Sequence, residues 1–288
     1  MEYKKEDNLK ELTPSKIEEL LPGFLSVFEE CLELVHPYTK GLPLHKDTPS
    51  TVFCKKELLD RLVGNATSQS VHPDNDKRGY AHFSYTDRSI YVEIEAFARL
   101  IQEENIDQMR DILIEEILHF QTSSYVVTNK YSGFMQIDNT IETRKYSGRF
   151  YELVEEDSSP GNSYREDLDE LVATENLVRF LTEMINHPKK IIFIANAANL
   201  DEIKEDEQFV TYPNQLISFF NRELKIDLIK TLLSCLQSGS LENFKKFIAK
   251  NKKDLPKDPQ ILRFLKLLEE IDSKNFIVIT LDPNLLEK

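Results

Sequence analysis

A glutamate and a histidine four residues apart, Glu115 and His119, are the residues of this sequence best suited to bind a metal ion. Residues at this spacing lie on one face of an α-helix, so the carboxylate and the imidazole can reach the same ion. Glu116 is rotated by about 100° around the helix axis, where a carboxylate can take a proton from metal-bound water. The pattern therefore predicts a metal site at Glu115 and His119, with Glu116 as the catalytic base.

The segment from Glu115 to His119 differs by one ligand from a well-known metal-binding helix. Zinc-dependent proteases carry His-Glu-x-x-His, in which the two histidines bind zinc and the glutamate activates water. The second histidine (His119) and the activating glutamate (Glu116) are present here, while Glu115 takes the position of the first histidine. The motif is therefore degenerate at one metal ligand.

The order of segments around this helix resembles that of the zincin-like bacterial metallopeptidases of the gluzincin type. In those proteins a Gly-Tyr-Tyr strand and a second strand precede the motif helix, and a Gly-Phe segment and an Asn-Glu-Gly-x-Thr-Glu helix follow it. The counterparts here are Gly79-Tyr80, Ser89-Ile90-Tyr91-Val92, Glu115 to His119, Ser132-Gly133-Phe134, and Asp169-Glu170 through Thr174-Glu175. The similarity covers about residues 75–250. It implies that a glutamate of the later helix, Glu170 or Glu175, is the third metal ligand.

The types of the candidate ligand residues indicate whether a metal binds and which metal is preferred. Two glutamates and one histidine, with Glu116 beside them, form a harder and more anionic set than the ligands of a zinc protease, which favours manganese or iron over zinc. Without a metal, Glu115 and Glu116 repel each other and any third carboxylate. An interpretation without a metal also exists, because Glu-Glu-x-x-His arises by chance in a Glu-rich sequence and His119 is then an ordinary core histidine.

The missing ligand leaves three functional interpretations. The substitution favours a pseudoenzyme or binding module that keeps the metallopeptidase fold and binds a protein or peptide partner. The alternative is an active metal-dependent peptidase that uses Glu116 as general base. The third is a ferritin-like metal protein, because Glu116 and His119 also form a Glu-x-x-His element. That interpretation needs a second such element, and Glu183 and His187 are four residues apart instead of three.

Hydrophobic patterns and turn residues predict the elements that position these groups. Thr13 and Pro14 begin a first helix, and a second extends from Pro22 to about Val35 and ends before Pro37. Aromatic and β-branched residues predict strands at 79–85 and 89–94, and the motif helix is predicted at 106–125. Residues 126–165 are rich in turn signals. The later predictions are helices at 165–185, 213–221, 225–237, 240–251 and 258–272 and a strand at 276–280.

Together these elements predict an α+β protein with a zincin-like fold. A small, mostly antiparallel sheet should pack on the motif helix, with the N-terminal helices behind it, and a mostly helical part should follow. The predicted boundary divides an N-terminal α+β subdomain with the motif helix, residues 1–125, from a mostly helical C-terminal subdomain, residues 126–288.

Composition excludes several classes of function. A net charge of −14 argues against binding to nucleic-acid phosphates, and no Gly-rich phosphate loop is present. Three widely spaced cysteines predict neither a disulfide framework nor a cysteine zinc site. No apolar run reaches the roughly 18 residues of a membrane span, and the start of the chain is charged. We therefore expect a soluble bacterial protein that is cytoplasmic and binds no membrane, although signal-independent secretion fits the same start.

Overall fold

Helices and short strands alternate along the part of the chain that the structure describes, which is a computed structural model. The described residues are 8–9, 12–40, 49–60, 80–84, 89–122, 124–128, 143–147, 151–153, 168–197, 208–238, 259–271 and 276–281. The chain divides into two units, residues 1–121 and 122–288. Both contain helices and strands, which confirms the predicted mixture of α and β structure. None of the described helices is long and apolar enough to cross a membrane.

The first unit contains one small mixed sheet. Its strands are β1 (Asn8–Leu9), β2 (Ser50–Cys54), β3 (Ala81–Ser84) and β4 (Ser89–Glu93), in the order β1-β2-β4-β3. Strands β3 and β4 are antiparallel, as the two aromatic and β-branched runs predict. Strand β2 pairs in parallel with β4 and was not predicted from the sequence. It is a short strand, and its pairing comes from the sheet that it joins.

Both ends of four helices in the first unit lie among the described residues. They are α1 (Pro14–Leu20), α2 (Phe24–Thr39), α3 (Ile94–Gln102) and the motif helix α4 (Ile106–Thr122). Thr13 caps α1 as predicted, since its side chain accepts a hydrogen bond from the Lys16 backbone N–H at 3.3 Å. The predicted end of the second helix was wrong, because α2 continues past Pro37 to Thr39. Only the last turn lies beyond this proline, so few hydrogen bonds are lost.

Aromatic side chains hold the first unit together. The ring of Phe24 in α2 contacts Phe53 of β2 at 5.3 Å and Phe97 of α3 at 5.5 Å between centroids, both edge to face. Phe83 of β3 contacts Phe120 of α4 at 5.9 Å. These contacts place a helix against the sheet and confirm that β3 packs on the motif helix. Edge-to-face pairs of this kind contribute about 0.5–1.5 kcal/mol each beyond the area that they bury.

The second unit begins near the end of α4 and contains two three-stranded antiparallel sheets among its helices. One sheet has the order β5-β6-β7 and the other β10-β8-β9. The strands are β5 (Ser124–Thr128), β6 (Thr143–Ser147), β7 (Tyr151–Leu153), β8 (Ile191–Asn196), β9 (Gln208–Thr211) and β10 (Phe276–Leu281). The helices are α5 (Leu168–Asn186), α6 (Pro213–Phe219) with a π-helical turn at Phe220–Leu224, α7 (Leu228–Ser238) and α8 (Pro259–Glu269).

One predicted bound was wrong. The motif helix ends at Thr122 and not at 125, because Tyr125 belongs to β5. Strands β5 to β9 were not predicted from the sequence. The run Ile191–Asn196 is apolar on both faces and short, which is typical of a buried strand but does not distinguish it from a helix by periodicity. The terminal strand was predicted correctly, and the helix predicted at 240–251 lies outside the described residues.

Candidate metal centre

The motif helix α4 is held in place by its apolar residues. Met109, Leu113 and Ile117 are fully buried and recur at helical spacing, so the helix faces the core over several turns. An ion pair also fastens α4 to α2, since Nη2 of Arg110 lies 2.5 Å from Oε2 of Glu30. The hydrogen bond to Glu30 raises the pKa of Arg110 above its ordinary value. This anchoring leaves the remaining face of α4 for polar side chains.

Glu115 and His119 lie on that face, one helical turn apart. The side chain of His119 is buried, with 6% of its surface exposed, and Glu115 is half-buried. A carboxylate oxygen of Glu115 and a ring nitrogen of His119 lie within 4.8 Å of each other. A metal ion bonded to both at about 2.1 Å separates its ligands by about 3.4 Å in a tetrahedral arrangement. Small side-chain rotations therefore suffice for this pair to bind one ion.

Glu116, the predicted catalytic base, hydrogen-bonds to the neighbouring sheet. Its Oε2 accepts from the backbone N–H of Phe83 in β3 at 2.5 Å. Among the described strands, β3 stands at the end of the order of its sheet. A carboxylate is a strong acceptor for a backbone N–H. The structure therefore gives Glu116 a role in holding β3 against α4.

The predicted third ligands lie on α5, in the second unit. Glu175 is half-buried and is followed by the buried residues Asn176 and Leu177. The amide of Asn176 donates to the backbone carbonyl of Ile271 at 2.7 Å, which fixes this part of α5. Glu170 lies near the start of α5, but its side chain falls outside the described residues.

A second glutamate–histidine pair, Glu183 and His187, occurs at the end of α5. Both side chains are buried, and they lie four residues apart like Glu115 and His119. The spacing is visible in the sequence, but the prediction used it only to reject a ferritin-like motif. The described residues thus hold two carboxylate–imidazole pairs, one in each unit, and each pair could contribute ligands to a metal ion.

The comparisons with known proteins give no relative for this chain. No protein-family model, curated protein or solved structure matches it. The functional argument therefore rests on the residues and contacts of the chain itself.

Proposed function

We propose that this protein is a metal-binding pseudoenzyme, in which Glu115 and His119 hold a divalent metal ion and no peptide bond is cleaved. The observation that carries the proposal is the hydrogen bond from the Phe83 backbone to Glu116. It engages the residue that the resemblance assigns as catalytic base, while the carboxylate–imidazole pair beside it keeps its ligand spacing.

Metal binding is supported by the chemistry of the Glu115–His119 pair. Buried or half-buried carboxylates are costly unless they are hydrogen-bonded, paired or bound to a metal. An imidazole suits zinc and iron, whereas carboxylates suit manganese. With a glutamate in place of the first histidine, the proposed site should bind manganese or iron more readily than a zinc protease does. A protein or peptide partner that supplies an oxygen ligand would complete the coordination.

The absence of hydrolysis follows from the position of Glu116. A general base must exchange a proton with the attacking water within hydrogen-bonding reach. Glu116 instead accepts a hydrogen bond from the backbone N–H of Phe83. This bond stabilises the carboxylate in an orientation set by β3. We infer that the residue was retained for structure after the first histidine of the motif was lost.

Metal titration of the purified chain tests the first half of the proposal. Wild type should bind one of Mn²⁺, Fe²⁺ or Zn²⁺ at a site that His119→Ala removes. The loss should exceed the roughly 10- to 100-fold that removing an outer-shell partner costs. His36→Ala is the matched control, because His36 is an exposed histidine of α2. Equal affinities for the wild type and His119→Ala, with all three metals, would disprove metal binding by this pair.

A peptidase assay tests the second half and separates the two leading alternatives. The metal-loaded protein should release no fragments from an unfolded protein such as casein or from a mixed peptide library. Glu116→Gln should leave the metal affinity unchanged within about twofold, since Glu116 is not a ligand in this proposal. Cleavage that is lost in Glu116→Gln would establish the active metal-dependent peptidase instead.

A further inference from the structure

Two residues of the motif helix directly follow the proposed metal ligands and contact the neighbouring sheet. Glu116 follows Glu115, and Phe120 follows His119. Glu116 and Phe120 are therefore also one helical turn apart, on a stripe rotated by about 100° from the ligand pair. Neither side chain is a ligand in the proposed function, so this stripe can hold the helix in place.

Both residues contact the same residue of β3, Phe83. Its backbone N–H donates to Oε2 of Glu116 at 2.5 Å. Its ring contacts the ring of Phe120 edge to face, with 5.9 Å between the centroids and 83° between the ring planes. Phe83 and Phe120 are 1% and 4% exposed, so the ring contact lies in the core. One residue of the strand thus holds two adjacent turns of α4.

This anchoring matters because one ligand lies near the end of the helix. His119 belongs to the last turn of α4, which ends at Thr122. The last four carbonyl groups of a helix have no partner within it, and helix ends fray. A metal site requires ligand positions fixed to within about 0.5 Å. The contacts of Phe83 therefore determine how well Glu115 and His119 are arranged before a metal binds.

We propose that Phe83 is a positioning residue of the metal site and that metal binding is linked to the docking of β3 on α4. The inference rests on the proposed function, since it takes Glu115 and His119 as the ligands. Such a linkage is reciprocal: the factor by which docking of the strand raises the metal affinity is the factor by which the metal strengthens docking. Strand β3 is then the element through which the protein responds to its metal.

The first experiment compares the Mn²⁺ and Zn²⁺ affinities of two variants of Glu116. Glu116→Ala removes the acceptor for the Phe83 N–H and should weaken binding by about 10- to 100-fold, as the loss of an outer-shell partner does. Glu116→Gln keeps a carbonyl oxygen that can accept this hydrogen bond, so it should restore the affinity that the alanine variant loses. Both variants remove the charge of Glu116, and their difference therefore reports the hydrogen bond.

The ring contact provides a second, independent comparison. Phe83→Leu removes the edge-to-face contact with Phe120 and should weaken metal binding by about 2- to 10-fold. Phe97→Leu is the matched control, because Phe97 is a fully buried ring of α3 that contacts Phe24 of α2. It should leave the metal affinity unchanged.

Amide hydrogen exchange of the wild type measures the reciprocal effect, which a purely structural contact would not produce. Metal should slow exchange of the Phe83 amide by about tenfold or more, the factor expected for the affinity. The amide of Phe53 in β2, which pairs with β1 and β4, should be slowed less.

Two results would overturn the inference and leave the metal site in place. One is an equal metal affinity in all of these variants, and the other is an equal effect of metal on the two amides. A wild type that binds no metal, or that binds it equally well after His119→Ala, would overturn the proposed function together with this inference. Circular dichroism shows whether each variant is folded. If Glu116→Ala does not fold, the Phe83→Leu and Phe97→Leu pair and the exchange rates decide.

Discussion

At the scale of single residues, Glu115 would set the metal preference of the proposed site. A carboxylate in place of the first histidine makes the ligand set more anionic and less suited to zinc. Glu115→His should therefore raise the zinc affinity by about tenfold or more, because it restores the ligand set of a zinc protease. A competition assay with a chromophoric chelator measures the change.

The control for this substitution is the double variant with His119→Ala, in which the gain should disappear. If Glu115→His leaves the zinc affinity unchanged, a third ligand is not within reach of the pair.

Two buried cysteines make stability depend on pH at the same scale. Burial is the main cause that raises the pKa of Cys31 and of Cys54 from 9.0 to about 12. The folded state then holds these protons more tightly than the unfolded state. The stabilisation is complete below about pH 9 and is lost as the pH rises towards 12. The free energy of unfolding should fall by at most about 1.4 kcal/mol per pH unit for each thiol.

Urea unfolding between pH 8 and 10.5, in the presence of a reductant, measures this slope. Cys31→Ala and Cys54→Ala should each show a smaller slope than wild type, even though both are less stable throughout. If the free energy of unfolding falls with pH at the same rate in wild type and in both variants, the pKa values of these thiols do not change on folding.

At the scale of secondary-structure elements, one hydrogen bond joins the motif helix to the sheet. Glu116→Ala removes the acceptor for the Phe83 N–H. We expect it to lower the free energy of unfolding by about 1.5–3 kcal/mol, the range for hydrogen bonds to charged groups. Glu116→Gln keeps a carbonyl oxygen that can accept this hydrogen bond, so its free energy of unfolding should fall by less. Equal stabilities of the two variants and wild type in urea titrations would show that this bond does not hold β3 against α4.

The start of α3 depends on an unusual cap. Glu93 is 2% exposed, and its carboxylate accepts from the backbone N–H groups of Glu95 and Ala96 at 2.9 and 2.7 Å. Glu93→Ala should lower the free energy of unfolding by about 0.5–2 kcal/mol, the range for lost N-caps. Glu95→Ala is the control, because Glu95 is exposed and should change stability by no more than about 0.5 kcal/mol.

The same cap shows why the start of α3 was not predicted from the sequence. Helix α3 follows β4 directly, and its first turn is capped by glutamate instead of the usual Ser, Thr, Asp or Asn. No turn residue separates the two elements. The strand pattern of β4 runs directly into the helix, so the start of the helix is not recognisable from the sequence. Thr13, by contrast, is a common cap residue before Pro14, and the predicted start of α1 is confirmed.

At the scale of the whole molecule, metal binding should stabilise the folded protein. A metal that binds only the folded protein should raise the melting temperature. The stabilisation is about 2.7 kcal/mol at a free concentration 100 times the dissociation constant. Scanning calorimetry with metal and with a chelator measures the shift in melting temperature.

The sequence by itself determined the chemistry that each helix can present. The spacing of Glu115 and His119 on an amphipathic helix, the hairpin before it and the α+β class follow from local periodicity, which is a property of neighbouring residues. Only the tertiary structure decided what those groups contact. The bond between Glu116 and Phe83 joins residues 33 positions apart, and that between Glu183 and Thr280 joins residues 97 positions apart. Such contacts depend on how strands and helices pack, and no local pattern specifies them.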